Sequence, residues 1–298
     1  MPMQARGGLF GEQVFLCLRG RRHPVLSVDR LEQFGFRWPD DVAQVDEQML
    51  ACFAPGGPVP RSDARHRPLT DASAARERLS ADLDGFGLEI GAGASPFPVP
   101  LSCRVIYGDR LTHRELLAEC YPGQRSCDIV IPDILTDFDS IENVADGSLD
   151  FLIACHVIEH TRDPIGSIAA AHRKLRSGGR LLLVVPDKTR TFDRDRPVTP
   201  LDHLLADHDD PDRERDRMHY EEFYRLALPV PPERLDETVE TKFQSRYAIH
   251  YHVWTRASFD DMLAAVQARV CRWESMWTHG AVGDPALNNE FYAQLVKP

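Results

Sequence analysis

The chain has 298 residues and a formal net charge of −11 at pH 7, and these quantities exclude several classes of protein. The length suits one large buried core with additions, as in a soluble enzyme. The acidic balance disfavours an extended phosphate backbone as a substrate, so we expect no nucleic-acid partner, although a locally basic groove is compatible with it. No apolar run approaches the roughly 20 residues that span a bilayer, so we expect no membrane partner.

The cysteines and the first residues of the chain both favour a cytoplasmic location. Seven cysteines are present, an odd number, and none forms a Cys-x-x-Cys pair. This usage is typical of reduced thiols. The first residues lack a charged region followed by an apolar core and a cleavage site, so they do not indicate export. We therefore expect a cytoplasmic protein.

Residues 1–60 are predicted to form a small N-terminal module. Gln13–Leu18 has the composition of a strand, Arg19-Gly20 that of a turn, and Ser27 is placed to cap a short helix. The module resembles short segments attached to bacterial sugar-related enzymes.

A glycine loop is the most informative local pattern. Residues 88–93 read Leu-Glu-Ile-Gly-Ala-Gly, and Asp109 ends a second apolar stretch twenty positions after Glu89. Gly91 and Gly93 allow a sharp turn and a close approach of the backbone to a ligand. An acid about 20 residues further on is where such folds hold a ribose diol. The pair predicts a nucleoside-binding loop, although short Gly-Ala-Gly turns also occur without a ligand.

The prolines after this loop narrow the choice of ligand. Pro96, Pro98 and Pro100 remove N–H donors and push each preceding residue out of the helical region. A regular helix therefore cannot begin promptly, and a phosphate would lack the helix N-terminus that usually binds it. No Gly-Lys-Ser or Gly-Lys-Thr follows the glycines, which excludes a P-loop. The pattern favours a ligand with a ribose but no phosphate.

Strands and helices alternate around and beyond the loop. Residues 61–80 are predicted to be a polar connector and a helix that leads to the first core strand. Phe151–Cys155 and Arg180–Pro186 have the length and apolar composition of buried parallel strands, and a helix is predicted over residues 165–175. The segment His156–His160 is expected to open a helix. This alternation predicts a parallel sheet wound by βαβ units.

The periodic pattern breaks at Asp187, and residues 189–252 are predicted to be an insertion. They are rich in Asp, Arg, Pro and His and far exceed the usual link between a strand and a helix. Thr199–Asp202 has the pattern of a helix start, and Met218–Leu226 is amphipathic. We predict an ordered lid that binds the acceptor rather than a flexible loop.

The chain is expected to return to the core after the insertion. A helix is predicted near residues 257–268, and Arg272–Trp277 and Phe291–Val296 supply two last strands.

Four motifs in this order resemble those of class I S-adenosylmethionine-dependent methyltransferases, of the methyltransferase type 11-like kind. The resemblance covers roughly residues 80–190, with a return at 253–298. It implies an α/β fold, a Rossmann-like, doubly wound, mostly parallel seven-stranded sheet with an antiparallel last strand. The core then comprises residues 61–188 and 253–298. The motifs are Leu88–Gly93, Asp146–Phe151, His156–His160 and Leu175–Arg180.

The resemblance also implies cofactor contacts. In this family the glycine loop lies under the methionine and ribose, and the acid after the second strand binds the ribose hydroxyls. An acid after the third strand lies near the adenine, which favours Asp133 in the stretch Ile129–Ile134, with Asp137 as its competitor. Ser95 departs from the family pattern, where many members have a third glycine. The expected cofactor contacts are Glu89, Gly91, Ala92, Gly93, Asp109, Arg110, Asp133, Ile134 and His156.

The implied reaction transfers the methyl group of S-adenosylmethionine to a small-molecule acceptor, which we expect to be a hydroxyl of a sugar or natural product. Alignment of donor and acceptor supplies much of the acceleration. A hydroxyl also benefits from a base that titrates near neutrality. His156 and His252 are the candidate bases, although His156 can equally pack against the cofactor. His203, His208 and His250 are further candidates, whereas His160 is expected to be structural and His219 solvated.

Three alternatives remain open on sequence alone. His156-x-x-Glu159-His160 matches the inverted zinc-peptidase motif, and His250 with His252 could offer two metal ligands from one face of a strand. An NAD-dependent oxidoreductase would share the sheet and the ribose acid. A methyltransferase-like scaffold would lack catalysis. We favour the methyltransferase and expect no metal site.

Overall fold

The computed structural model describes residues 1–5 and 13–298; the remaining part of the predicted N-terminal module, residues 6–12, lies outside the described residues. Strands and helices alternate through most of this range. The strands are β1 (Pro2–Ala5), β2 (Val14–Leu18), β3 (Arg21–Val25), β4 (Ala43–Val45), β5 (Ala54–Pro55), β6 (Phe86–Ile90), β7 (Arg104–Asp109), β8 (Ile134–Leu135), β9 (Leu149–Cys155), β10 (Leu175–Pro186), β11 (Ser275–His279) and β12 (Glu290–Val296).

Nine α-helices lie in the described residues, accompanied by short 3₁₀ and π segments. The α-helices are α1 (Val28–Glu32), α2 (Glu47–Ala51), α3 (Ala72–Ser80), α4 (His113–Glu115), α5 (Pro164–Lys174), α6 (Leu201–Asp209), α7 (Arg213–Glu222), α8 (Pro232–Gln244) and α9 (Arg256–Arg269). The 3₁₀ segments are Ser126–Asp128, Ile158–His160, Lys188–Arg190 and Phe192–Asp195, and the π segments are Leu116–Cys120 and Phe223–Ala227.

Packing divides the chain into two compact units. The first unit comprises Met1–Pro68 and Arg76–Leu135, and the second comprises Leu69–Ala75 and Thr136–Pro298. This division concerns packing alone, so the functional division into module, core and insertion stays a prediction.

The first unit begins with a small sheet in the order β4-β1-β2-β3-β5. The strand and turn predicted here are confirmed, because Arg19 (φ 51°) and Gly20 (φ 77°) close the β2–β3 hairpin with left-handed backbone, the conformation that suits a two-residue hairpin. Phe15 and Leu16 pack into different core clusters, as expected of neighbours on a strand. Ser27 precedes α1, but its side chain makes no capping hydrogen bond, so that expectation is wrong.

A second sheet has seven strands in the order β11-β12-β10-β9-β6-β7-β8. Strands β6, β7 and β8 run parallel, as do β9 and β10, whereas β12 is antiparallel to both β10 and β11. Leu181–Val185 is fully buried along its length. A strand that is buried on both faces has an uncharged sequence without alternation, and this pattern is typical of a parallel sheet. The predicted mostly parallel sheet with an antiparallel last strand is confirmed.

The third core strand is shorter and later than predicted. Strand β8 begins at Ile134, so Asp133 precedes it instead of following a strand over Ile129–Ile131. Ile129 and Val130 are buried, and the N–H of Val130 donates to the carbonyl of Gly93 at 2.9 Å. This apolar run therefore packs against the glycine loop rather than pairing in the sheet.

No helix separates β6 from β7, and both strands belong to the first unit. The residues from Gly91 to Cys103 form turns and extended backbone, as the prolines predict. Gly57 approaches this segment so closely that a Cβ there would lie 1.9 Å from the carbonyl oxygen of Phe97. The N-terminal module thus packs directly on the segment that follows the glycine loop.

The predicted insertion, residues 189–252, has regular secondary structure and belongs to the second unit, and its role as a lid stays a prediction. It contains α6, α7 and α8, and α6 begins where the Thr199–Asp202 pattern places a helix start. Its core comprises Tyr220, Phe223, Tyr224, Ala227, Val239 and Ile249.

After the insertion, α9 and β12 occupy the predicted positions, and β11 begins three residues after the predicted Arg272. Within residues 1–5 and 13–298, no helix combines the length and apolarity needed to cross a bilayer.

Candidate active site

The glycine loop has a backbone that few other residues could adopt. Gly91 (φ 74°) and Gly93 (φ 51°) both lie in the left-handed region, which favours glycine. A Cβ on Gly93 would lie 1.9 Å from the hydroxyl oxygen of Tyr121. Conformation and space therefore both require glycine at position 93, as the sequence pattern suggests.

Glu89 supports the loop from below. Its side chain is only 1% exposed, and both carboxylate oxygens accept from the N–H of Phe97, at 2.8 and 3.1 Å. Burial raises the pKa of this carboxyl group to about 8. The two hydrogen bonds of Glu89 thus fix the path of the loop between β6 and the proline-rich segment. Its expected contact with the cofactor stays a prediction.

Asp109 ends β7, as the sequence predicts, and keeps hydrogen-bonding capacity. One oxygen accepts from the N–H of Leu111 at 3.0 Å. Burial raises the pKa of the carboxyl group, and no ion pair to Asp109 occurs in the described part of the chain. Its neighbour Arg110 is exposed. A carboxylate without a cationic partner at a strand end is suited to hold ribose hydroxyls.

The carboxylate of Asp133 already binds other groups of the protein. It forms an ion pair with Arg21 at 2.8 Å and accepts from the N–H of Tyr107 at 2.8 Å. Ile134 is the first residue of β8, and Asp137 is the acid that follows that strand. The expectation that Asp133 follows the third strand is wrong, whereas the contacts of Asp133 and Ile134 with adenine remain untested.

The second unit contains a cavity at the carboxyl ends of β9 and β10, with a volume of about 490 Å³. We call it the acceptor cavity, after the role that we propose for it below. Its walls combine imidazole, guanidinium and carboxylate groups with two apolar side chains. The lining residues are His156, Glu159, His160, Pro186, Arg190, Thr191, Phe192, Arg194, His250 and Asn289.

His156 leaves β9 in a strained conformation. Its φ of 54° is unusual for a residue with a side chain. Nε2 lies 2.9 Å from Oε2 of the buried Glu290, and Nδ1 lies 3.7 Å from Oε1 of Glu159. The expected helix is only one 3₁₀ turn, Ile158–His160, because α5 begins later, at Pro164. His156 thus lines the cavity with one ring nitrogen bound to an acid.

His250 lines the same cavity and forms the shorter acid–imidazole pair. Nδ1 lies 2.7 Å from Oδ2 of Asp193, and Nε2 lies 4.0 Å from Oε1 of Glu159. Burial alone would raise the pKa of Asp193, but hydrogen bonds from His250 and Arg196 outweigh it and lower this pKa. An ionised Asp193 accepts the Nδ1–H of His250 and leaves the Nε2 lone pair available.

Glu159 lies between these two imidazoles. Its side chain is 1% exposed, and neither oxygen has a hydrogen-bond partner among the described residues. His160 lies close to Glu159 and His250, because one ligand atom of each residue lies within 4.8 Å of the others. Nδ1 of His160 is bound at 2.8 Å to the carbonyl oxygen of Ile249, consistent with a structural role.

The surroundings of His252 and His219 differ from those that the sequence suggests. His252 is fully buried, does not line the acceptor cavity, and burial lowers its pKa to about 3. These surroundings do not favour a base near neutrality, and the catalytic role of His252 stays a prediction. His219 is buried rather than solvated, because α7 packs it against Asp207 and the carbonyl of Tyr251. His208 contacts Asp163 at 2.9 Å.

The zinc-peptidase alternative lacks its ligand pair. Among the described residues, His156 and His160 do not join one group of metal-ligating atoms. Glu290 instead binds the ring of His156. The histidine pair that this alternative requires therefore does not form among the described residues; Glu159, His160 and His250 instead bring one ligand atom each within 4.8 Å of one another.

The sheet order, the glycine turn and Asp109 together define an open α/β nucleoside-binding fold. A family model described as a methyltransferase domain matches residues 64–271. The match covers more than half of the chain, so the chain belongs to this methyltransferase family.

Solved structures are similar at low identity. An S-adenosylmethionine-dependent methyltransferase from Thermotoga maritima is 14% identical, over 72% of this chain and 84% of that one, with a TM-score of 0.39. One from Methanosarcina mazei is 15% identical, over 72% and 92%, with a TM-score of 0.38. The CurJ carbon methyltransferase is 14% identical, over 76% and 54%, with a TM-score of 0.43. No curated protein matches the sequence.

The protein is an S-adenosylmethionine-dependent methyltransferase, and S-adenosylmethionine is its cofactor. The residues of the glycine loop fit this molecule. Asp109 offers a carboxylate to a ribose, and the segment after the loop provides no helix N-terminus for a phosphate, which S-adenosylmethionine does not carry. The family leaves the oxidoreductase and hydrolase alternatives without support.

Proposed function

We propose that this enzyme methylates a hydroxyl group of a small molecule, such as a sugar or natural product, bound in the acceptor cavity. The volume of about 490 Å³ lies within the range of small-molecule sites. Arg190 and Arg194 line the cavity beside Thr191, so its wall offers hydrogen-bond donors to a hydroxylated acceptor. The observation that carries the proposal is the His250–Asp193 pair on this wall.

His250 serves as the general base in this proposal. Nε2 accepts the proton of the acceptor hydroxyl, while Nδ1–H donates to Asp193 and the ionised Asp193 stabilises the resulting imidazolium. Glu159 adds a second negative group 4.0 Å from Nε2. The bound cofactor supplies an activated methyl group, and the oxygen that loses its proton forms the new bond to that methyl group.

His156 is the weaker base candidate, and we assign it a positioning role. Its Nε2 contacts Glu290 at 2.9 Å, and its Nδ1 faces the buried Glu159. Nδ1 of His156 and Nε2 of His250 approach the same oxygen of Glu159, at 3.7 and 4.0 Å, so the choice rests on the shorter contact of His250 with Asp193, 2.7 Å against 2.9 Å from His156 to Glu290. A contact between His156 and the cofactor is compatible with this role.

For the cofactor, we propose that the glycine loop and Asp109 hold the methionine and ribose parts. Gly91, Ala92 and Gly93 provide the turn, Asp109 accepts from the ribose hydroxyls, and Arg110 follows it at the strand end. For the adenine, Asp133 and Asp137 both stay candidates, since both carboxylates already accept hydrogen bonds from the protein, Asp133 from Arg21 and Tyr107 and Asp137 from Ser140. Ile134 remains a candidate apolar contact.

The proposal is tested by measuring S-adenosylhomocysteine formation with a panel of hydroxylated small molecules. For a substrate that the wild-type enzyme methylates, kcat should fall by about 100- to 10,000-fold in His250→Ala, which is the range for a lost general base. His208→Ala is the matched control, because His208 lies in the same insertion and contacts Asp163 outside the cavity. Full turnover in His250→Ala would exclude His250 as the base. Methylation confined to amines or carbon acids would exclude a hydroxyl acceptor.

A further inference from the structure

A second polar cluster, distinct from the acceptor cavity, lies inside the insertion. His203 and Asp207 lie on α6, His219 lies on α7, and His252 precedes α9. One ligand atom from each residue lies within 4.8 Å of the others. We propose that these four side chains bind one divalent transition-metal ion, by preference Zn²⁺, which ties the two helices to the segment before α9.

The distances between the ligand atoms fit a tetrahedral ion. His203 Nε2 lies 3.3 Å from His219 Nε2, and Oδ2 of Asp207 lies 3.2 Å from the first and 3.3 Å from the second. A tetrahedral zinc ion with bonds of about 2.0–2.1 Å separates neighbouring ligand atoms by roughly 3.3–3.4 Å. The ligand atoms of three of the four side chains are therefore already separated by the distances that such an ion requires.

The outer contacts of the cluster orient these atoms for coordination. Nδ1 of His219 lies 3.1 Å from the carbonyl oxygen of Tyr251, so Nδ1 carries the proton and Nε2 offers its lone pair. Oδ1 of Asp207 accepts from Arg215, which leaves Oδ2 for the ion. Backbone carbonyls bound to ligand histidines and hydrogen bonds to ligand carboxylates are the usual second layer of a metal site.

His252 supplies an independent observation. It is fully buried, its Nε2 lies 2.9 Å from the carbonyl oxygen of Arg162 and 3.7 Å from Oδ2 of Asp207, and its Nδ1 has no hydrogen-bond partner among the described residues. When Nε2–H donates to that carbonyl, Nδ1 is an enclosed lone pair without a donor. Such a nitrogen is costly to bury, and binding to a cation would remove that cost.

The ligand set identifies the kind of ion. Three imidazoles and one carboxylate suit zinc and neighbouring transition metals, whereas Mg²⁺ and Ca²⁺ prefer oxygen ligands. Four protein ligands without a free position are typical of a structural zinc site. His203 and His219 also line a second cavity of about 400 Å³, which gives an ion a route of entry.

This proposal opposes the sequence-based expectation of no metal and does not depend on the proposed acceptor or base. The spacing of His203 and Asp207, four residues apart on α6, places both on one helix face. That pair is the only local signal, since His219 and His252 come from separate segments.

Metal analysis of the full, tag-free chain tests the proposal. Protein grown with zinc and purified without chelators should contain about one zinc ion per chain. His203→Ala, the most exposed of the four ligands, should lose at least about tenfold in zinc affinity. His208→Ala, one residue from Asp207 but bound to Asp163, should keep its zinc. Equal zinc content in the two variants would overturn the assignment.

Cobalt substitution keeps the proposal testable if His203→Ala does not fold. Wild-type protein stripped with a chelator and titrated with CoCl₂ should develop the intense visible bands of four-coordinate cobalt, saturating at one equivalent and displaced by ZnCl₂. Removal of zinc should also lower Tm, because an ion that binds only the folded state stabilises it. Only weak six-coordinate bands, with no zinc retained after dialysis, would contradict the site.

Discussion

The turn of the glycine loop is formed within one short stretch of chain, residues 89–97, mainly by the backbone conformation of its glycines and by the N–H of Phe97. In the insertion, the working pairs join distant residues: Asp193 and His250 are 57 positions apart, and Arg196 reaches the carbonyls of His250 and Tyr251. The conformation of the loop depends on positive φ angles and on free space at its glycines. The stability of the insertion depends on the pairing of its buried charges.

The two regions should therefore be destabilised by different kinds of substitution. An added methyl group should damage the loop, because Gly93 has no space for a Cβ. A change of charge at constant shape should damage the insertion, because unpaired buried charges are costly. Changes at Asp193, Gly93 and Glu89 test this contrast.

The buried ion pair of the insertion should show the largest effect. Arg196 and Asp193 are nearly inaccessible to solvent and lie 2.9 Å apart. Asp193→Asn removes this negative partner and leaves Arg196 with only the partly exposed Glu222 as an ion-pair partner among the described residues, so we expect a loss of about 3 kcal/mol in the free energy of unfolding. Urea denaturation measures it.

Asp209→Asn is the matched control, since its ion pair with Arg269 is about half exposed. Exposed pairs contribute about 0–1 kcal/mol. Equal losses in the two variants would show that burial does not decide the cost in this insertion.

Gly93→Ala should destabilise the first unit by crowding. The new Cβ would meet the hydroxyl of Tyr121, whereas a Cβ at Gly123 meets nothing within 4 Å. Both glycines have positive φ, so Gly123→Ala carries the same kind of backbone strain without the contact. We expect Gly93→Ala to lose about 1–3 kcal/mol more than Gly123→Ala. Equal unfolding free energies would mean that Tyr121 moves aside without cost.

Glu89→Gln should change how stability depends on pH. Burial raises the pKa of Glu89 from 4.5 to about 8 in the folded protein. Between these values the folded state keeps a proton that the unfolded chain has lost, so the stability present at low pH is lost as pH rises. The fall in Tm between about pH 5 and 8 should be smaller in Glu89→Gln. Parallel Tm profiles would contradict this pKa.

The sequence predicts most of the sheet because its strands are continuous apolar runs. Leu149–Cys155 and the last residues of β10 lie where that pattern places them, and Asp109 ends its strand as expected. The strand predicted over Ile129–Ile131 is wrong, because an apolar run indicates only burial, and the burial here comes from packing on the glycine loop. Hydrophobicity alone cannot distinguish the two.

The sequence predicts the roles of the histidines less well, because these roles depend on partners from other segments. Nothing near His250 in the sequence indicates that Asp193 will contact it, and α7 is too polar to suggest that His219 is buried. Local periodicity describes one helix face at a time. The burial of His219 and His252 arises only when α6, α7 and the segment before α9 pack together.

The most direct test of the account is calorimetric titration of S-adenosylhomocysteine into wild-type protein, Asp109→Ala and His250→Ala. If the glycine loop and Asp109 hold the cofactor, Asp109→Ala should weaken binding by about 1–3 kcal/mol, the cost of a lost charge-assisted hydrogen bond. His250→Ala should bind as tightly as the wild type, because His250 lines the acceptor cavity. Unchanged affinity in Asp109→Ala, with weakened binding in His250→Ala, would contradict the account.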